Sequence, residues 1–514
     1  MENKMLPIMF FAPREVDELR VEGAGNSEVP KWVLEEDELA QRSSALIAAF
    51  EQFSEIVTDR AKRKSPVPFV FVAKMCSDST AKSRRKDISS LFLTGDVSNI
   101  IGLADSDELI VRLDSVSQMG KISNRLKDYN RNSHALSCLE TFWEFRPAIQ
   151  KQDNETKYKV KLIDFQDYET NKSMQCLFEK ALTSRKISYK KTSYAGQFSL
   201  YKIEMNPQAM LDEFQNNDAY EMLFSIEPMP KYVVSLDSIQ EEIAIEVKNP
   251  TKECRYETLG ILDNGIAPIP HITPWMAGKR WSVYPESAIN PTHGTFVAGV
   301  ALYGDDCENQ EWIGHKGIKI FDATVFPDVT KEGLDEDELI ANIREAIKAS
   351  HKKVKIWNLS ISVVRPICDN KFSDFAIALD DLQSRYNILV CKSVGNCSNF
   401  MYGKPKGKIH EGADSVRSLV VGSVAHAKGI NDFAEVGNPS PFSRIGPGPE
   451  FIIKPEVSHY GGNAGINQNG ELVTTGVKSF SADGSFASSV GTSFSTPRIA
   501  SLATGLYHLN SRRV

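Results

Sequence analysis

Four polar residues stand where a chain can perform acyl transfer. Asp263 closes the apolar run LGILDNG, His293 opens HGTFVAGVAL, Asn396 closes LVCKSVGN and Ser493 opens GTSFSTPRIA. A serine hydroxyl is a weak nucleophile until a neighbouring base takes its proton. An imidazole can accept that proton and return it to a leaving amine. A buried carboxylate fixes the tautomer of the imidazole and stabilises its cation. The backbone N–H of Ser493 at a helix start, and the side-chain amide of Asn396, can then donate to an oxyanion. Singly, each residue has a plainer reading: a helix N-cap for Ser493, a turn residue for Asp263, a helix-start histidine for His293. Their joint appearance favours chemistry.

The elements that must position these groups follow from the pattern around them. TLGILDNG reads as a buried strand, HGTFVAGVALYG as a helix of small residues, and IKIFDATVF as a strand. LDEDELIANIREAIKASH is a helix with acids in its first turn and Lys and His in its last. VKIWNLSIS, NILVCKSVGN and RSLVVGSVA are strands, with DFAIALDDLQSRY a helix among them. Strands alternating with helices of this length imply a parallel sheet covered on both faces. Catalytic groups are expected at the C-terminal ends of its strands.

With those residues in place, DNG at 263–265, HGTFVAG at 293–299 and GTSFSTP at 491–497 resemble the three signatures of the subtilisin-like serine peptidases, in the same Asp–His–Ser order. NLSIS at 358–362, VGN at 394–396, FSRIGPG at 442–448 and KPEV at 454–457 are similar to further subtilase segments. The resemblance spans roughly 255–514. It implies endopeptidase activity through an acyl-enzyme, with Asp263, His293 and Ser493 as the triad and Asn396 in the oxyanion hole. It also implies that substrate adds as a β-strand, between edges at about 359–362 and 392–395, with Ser360, Ser362, Val394 and Gly395 as substrate-binding residues. The sequence departs from the family pattern at Asn264, at Phe296 and at Ser362, where a glycine often lines the primary pocket. The long stretch from Asn396 to Ser493 suggests inserted loops.

Upstream, VPFVFVAKM begins a β-α-β-β-α-β series that KYKVKLIDF begins again. Two tandem ferredoxin-like modules are therefore expected, at 67–150 and 151–230. A strand and an amphipathic helix over 36–62 are expected within 1–66, and a linker over 231–254. Residues 255–514 form the catalytic domain, in which only the rest of one helix follows Ser493. Either an N-terminal element or residues past 514 are expected to complete its packing. The second module sits where a subtilase propeptide would, so it is expected to inhibit the cleft, with 226–240 running through it, or to bind a regulatory partner such as an ATPase. The alternative to a restrained peptidase is a catalytically silent scaffold or regulatory subunit that binds protein partners.

The chain of 514 residues is 41% hydrophobic and 25% charged, with a formal net charge of −7, which offers no general basic surface for nucleic acid. The βαββαβ pattern also suits an RNA-binding module, but DELIVRLD and QFSLYKIE lack the paired aromatics of one. No segment approaches the ~18 apolar residues of a membrane span. Eight scattered cysteines without paired CxxC motifs point to free thiols in a reducing, cytoplasmic setting. The acids at 335–338 are read as a helix's first turn rather than a calcium site. No metal or cofactor is expected, and the other eight histidines are assigned no role.

Overall fold

The computed structural model describes residues 32–511, apart from 81–83, 96–97, 151, 153–154, 197, 205–217, 235, 243, 315–316, 329–332 and 364. The strand expected near residue 10 and the helix expected in NPQAMLDEFQNN lie outside the described residues. The chain divides into two units, 1–145 and 146–514.

In the first unit, α1 (Glu36–Glu51) and α2 (Ser54–Arg63) precede β1 (Phe69–Met75), α3 (Arg85–Phe92), β2 (Ile100–Asp105), β3 (Glu108–Leu113), α4 (Val116–Lys127), α5 (Ser133–Ser137) and β4 (Leu139–Glu144). The antiparallel sheet runs β2-β3-β1-β4, the order of the expected βαββαβ module. The helix expected over 36–62 breaks at Gln52 and Phe53. The break turns both Phe50 and Phe53 into a core where they meet Phe71 edge-on or tilted, at ring separations of 5.5 and 5.4 Å.

The second unit opens with β5 (Ala148–Ile149), β6 (Lys157–Leu162), α6 (Tyr168–Ser184), β7 (Tyr189–Ala195), β8 (Phe198–Glu204), α7 (Asp218–Glu221) and β9 (Leu223–Pro228). Their sheet runs β5-β9-β6-β8-β7. Asp167 caps α6 by accepting from the Thr170 N–H at 2.8 Å. Met174, Phe178 and Leu182 form the buried stripe of that helix.

The segment expected as a linker supplies β10 (Lys231–Val233) and β11 (Ile239–Glu241). Then come β12 (Thr258–Asp263), β13 (Trp281–Ser282), α8 (Thr292–Glu308), β14 (Lys319–Thr324), β15 (Leu334–Asp335), α9 (Glu336–Ser350), β16 (Ile356–Leu359), β17 (Ser362–Val363), α10 (Asp374–Tyr386), β18 (Leu389–Ser393) and β19 (Leu419–Val424). The chain continues through β20 (Val457–Tyr460), β21 (Asn463–Ile466), β22 (Leu472–Thr475), β23 (Val477–Phe480), β24 (Phe486–Ser489) and α11 (Thr492–Ser511). Seven strands form the expected parallel sheet, in the order β13-β14-β12-β16-β18-β19-β20. Neighbouring residues point to opposite faces, so Ile261 and Cys391 pack with α8 and α11, while Leu262 and Val390 pack with α9 and α10. α8 is buried nearly all round, which its small residues permit.

Period-2 alternation also explains how the upstream sheet docks. Tyr158 and Val160 are buried in the module, and Lys157, Lys159 and Lys161 alternate with them on β6. Lys159, 4% exposed, lies between Glu227 at 2.9 Å, Glu336 at 3.1 Å and Asp374 at 2.9 Å. Lys202 meets Asp335, Asp337 and Glu338 at 3.0, 3.1 and 2.9 Å. The acids at 335–338 thus precede and begin α9 as expected, and the module's lysines neutralise them.

Burial pushes the Asp374 carboxyl up, but Lys159 and Lys161 outweigh it and hold it well below the usual range. Asp335 is lowered in the same way by Lys202 and Lys157 against its own burial. Stabilisation from depressed carboxyls is complete above their unfolded values of about 3.9–4.3 and is lost as pH falls through the folded ones. The docked unit of the Ser493→Ala chain is therefore expected to melt at steadily lower temperature from about pH 5 to about pH 3 by calorimetry. A melting temperature flat across that window would mean that the pairs do not form in solution.

Candidate active site

Asp263 ends β12, and its backbone carbonyl accepts from the Val325 N–H at 2.9 Å. One carboxylate oxygen takes the N–H of Asn264 at 2.8 Å, and both lie 2.9 Å from Nδ1 of His293. A ring nitrogen facing a carboxylate is the donor, so Nε2 is left with the lone pair that a general base needs. Asp263 and His293 are 1% and 3% exposed, which shields this pair from water.

His293 is the second residue of α8, and Asn264 holds that helix start. Its Oδ1 accepts from the Gly294 N–H at 2.9 Å, a donor that no residue within the helix can satisfy. Gly294 must lack a side chain, because a Cβ there would lie 2.2 Å from the Gly265 carbonyl oxygen. The departure at Asn264 thus joins the acid to the helix that carries the base.

Ser493 is the second residue of α11, so its N–H also has no partner within the helix. Its Oγ donates to the Ser360 carbonyl at 3.1 Å, and among the described residues it makes no hydrogen bond to His293. The return contact has a backbone cause. Pro497 falls in the second turn of α11 rather than the opening one, and without an N–H it leaves the Ser493 carbonyl free. Ser360 Oγ donates to that carbonyl at 2.9 Å. Phe494 packs its ring 5.9 Å from that of His293. Ser495 turns its hydroxyl back to the Thr492 carbonyl at 3.1 Å, inside the first turn.

Asn396 is fixed by Thr492, whose N–H and Oγ1 donate to its Oδ1 at 2.9 and 3.0 Å. Oδ1 must face the backbone donor, so the amide presents Nδ2 as its free end. Among the described residues Nδ2 has no hydrogen-bond partner, and Asn396 is exposed. The structure thus gathers Asp263 with His293, and Asn396 with the start of the Ser493 helix.

The four expected substrate-binding residues divide. Ser362 pairs through β17 with Val233 of β10, and Ser360 touches Ser493 directly. Val394 buries its side chain with Ile367 and Ile409, while its N–H and carbonyl are taken by Val421 and His410. Gly395 is likewise engaged, its N–H by Thr492 Oγ1 at 3.2 Å and its carbonyl by Arg444. These two brace the site rather than offer open groups. Sequence reading missed Asn264 as a brace and Thr492 as the holder of Asn396.

The cleft edge is already paired. β10 is the middle strand of an antiparallel trio, β15-β10-β17, with Tyr232 opposite Leu334 and Val363. Further along, Ser489 Oγ donates to the Asp237 carbonyl at 2.6 Å and β11 pairs antiparallel with β24. The protein's own segment is therefore hydrogen-bonded to β17, just past Ser360, and to β24, just before Ser493.

Residues 257–511 match the model of the subtilase family. No curated protein matches the chain in sequence. Among solved structures, the chain is similar to an epidermin leader peptide processing serine protease from Staphylococcus aureus. The identity is 14%, the coverage 70% of this chain and 90% of that one, and the TM-score 0.43. It is also similar to a cold adapted subtilisin-like serine proteinase at 17% identity, covering 49% of this chain and 76% of that one, with a TM-score of 0.34.

Proposed function

Residues 257–511 make this chain a member of the subtilase family of serine peptidases, and we propose that it hydrolyses peptide bonds through Asp263, His293 and Ser493 under restraint by its own N-terminal region. The observation that carries the catalytic reading is the buried Asp263–His293 pair at 2.9 Å, which leaves Nε2 as the base. In the proposed cycle the Ser493 hydroxyl leaves the Ser360 carbonyl and gives its proton to Nε2 as Oγ attacks the substrate carbonyl. The oxyanion takes hydrogen bonds from Nδ2 of Asn396 and the N–H of Ser493. His293 returns the proton to the leaving amine, and water then releases the acyl group by the same route.

The restraint reading rests on β10 and β11, which occupy the strand edges a substrate main chain would use. The second module anchors them, so we assign it an inhibitory role, with a regulatory protein partner as the releasing agent. The same filled cleft is what favours the silent-scaffold alternative. We place the protein in a reducing compartment, on the support of eight unpaired cysteines. Among the described residues no helix is long and apolar enough to cross a membrane.

A fluorophosphonate probe applied to the full chain, followed by peptide mass spectrometry, tests the reading. A single adduct on Ser493 is expected. An adduct elsewhere, or none even after strand β10 is weakened by Tyr232→Ala, would sink the triad assignment and favour the scaffold.

A further inference from the structure

Where the second module meets the catalytic domain, one guanidinium serves two carboxylates. Arg365, two residues past β17, lies 3.1 Å from Glu411 and 2.6 Å from Glu227. The N–H of Glu411 also donates to the Arg365 carbonyl at 3.0 Å, so these two residues of the catalytic domain stay together when the module moves. Glu227 lies on β9 and arrives with the module. Docking thus gives Arg365 a second carboxylate to serve. It also closes Glu411 from water until its side chain is 12% exposed.

The charges around Glu411 do not balance. Lys159 on β6 meets Glu227, Glu336 at the start of α9 and Asp374 at the start of α10, and Lys161 on β6 meets Asp374 at 3.1 Å. With Arg365, three cations face four carboxylates among the described residues. The neighbouring set is even, with Asp335, Asp337 and Glu338 held by Lys157, Lys190 and Lys202. Asp374 has two ammonium groups, and Glu227 has Lys159 and Arg365. Glu336 has Lys159 and the hydroxyls of Tyr194 and Tyr232. Glu411 has a share of Arg365, whose nearer partner is Glu227. A carboxyl that leaves water without a full counter-charge takes up a proton instead.

We propose that Glu411 is a proton gate on the restraint: docking of the second module requires Glu411 to take a proton from solvent, and rising pH loosens the module from the cleft by removing it. The proposal rests on the restraint reading above. Burial, with Glu336 and Glu227 beside it, pushes the Glu411 carboxyl up to about 8, against Arg365 and Lys159. Burial raises Glu336 as well, with Lys159 and the Tyr194 hydroxyl opposing it. Burial also acts on Glu227 and Asp374, yet Lys159, with Arg365 at the first and Lys161 at the second, brings both below the usual range. With the module away, Glu411 returns to water and has Arg365 to itself, so its carboxyl falls back to about 4.3 or lower. A carboxyl raised in the docked state favours docking fully below its free value. That gain is lost as pH rises, by up to about tenfold per unit, and is gone above about 8. The depressed Asp335 and Asp374 act at the acid end, so docking is expected to be tightest near about pH 5.

The test compares the full chain with Glu411→Gln, which keeps the size of the side chain and fixes its neutral form. Fluorophosphonate labelling of Ser493 and amide exchange over 157–233 are measured in both at each pH, and their ratios cancel the titration of His293 and the intrinsic exchange rate. The unsubstituted chain is expected to label and exchange faster, with both ratios rising by up to about tenfold per unit between about pH 6 and pH 8 and level beyond. A purely structural Arg365–Glu411 pair predicts the opposite: Glu411→Gln would loosen the module and label faster at every pH. That result, or ratios that do not change with pH, overturns the proposal. If neither chain labels, even with Tyr232→Ala added, the peptidase reading fails by itself. The exchange ratio, which needs no activity, then decides the gate: a rise with pH sustains it and a constant value overturns it. Should Glu411→Gln not fold, exchange in the unsubstituted chain decides, and protection of 157–233 that is constant over the same window overturns the proposal.

Discussion

Replacing Asp263 by asparagine is expected to slow acylation of Ser493 by about 10,000-fold while leaving the fold intact. The side chain keeps its size, so the packing at the end of β12 and the Asn264 N–H contact to an oxygen at this position survive. What changes is the proton on the ring. Both carboxylate oxygens now lie 2.9 Å from His293 Nδ1 and require it to carry hydrogen. With one oxygen already turned to the Asn264 N–H, an asparagine would present its NH2 to Nδ1. Nδ1 would become the acceptor, the hydrogen would move to Nε2, and the base could not take the Ser493 proton. Labelling rates of the Tyr232→Ala and Tyr232→Ala/Asp263→Asn chains measure this, with melting curves to confirm that both are folded. A loss below about tenfold would show that Asp263 does not set the tautomer. Asn264→Ala is expected to cost less, because it frees the Gly294 N–H and the start of α8 but leaves the carboxylate in place.

Asp263, His293 and Ser493 stand out in the sequence because each lies in a local run whose neighbours also do geometric work. Gly294 admits the Gly265 carbonyl, and Thr492 holds Asn396. The parallel sheet was readable for a related reason: its strands are apolar runs ended by turns, and its helices carry full-length periodicity. The pairing of the cleft segment was not. β10 has three residues and its partners β15 and β17 have two each, too short for any alternation to show. Residues 226–240 were expected to run through the cleft, but 231–254 read only as a linker. Lys159 and Glu336 were each visible, the acid as part of a helix start, but 177 positions separate them and nothing local joins them. Gln52 and Phe53 lie in a run that reads as continuous helix, because tertiary packing of Phe50 and Phe53 decides the break.

Lys159→Ala is expected to loosen the docked module by about 3–5 kcal/mol and to accelerate labelling of Ser493. Burial works against the charge of Lys159, but Asp374, Glu336 and Glu227 together raise its pKa well above the ordinary value. Removing the ammonium leaves Glu336 buried with only the hydroxyls of Tyr194 and Tyr232, while Asp374 keeps Lys161 at 3.1 Å and Glu227 keeps Arg365 at 2.6 Å. Tyr232 belongs to β10, so the charged cluster and the strand in the cleft share a residue. Loosening the first must therefore disturb the second. A double change, Lys159→Met with Glu336→Gln, should recover part of the loss, because it removes repulsion as well as attraction. Hydrogen exchange over 157–233 and the labelling rate of Ser493 read the two ends of the same coupling. Faster exchange without faster labelling would separate docking from occupancy of the cleft, and the restraint would then lie in β11 and its pairing to β24.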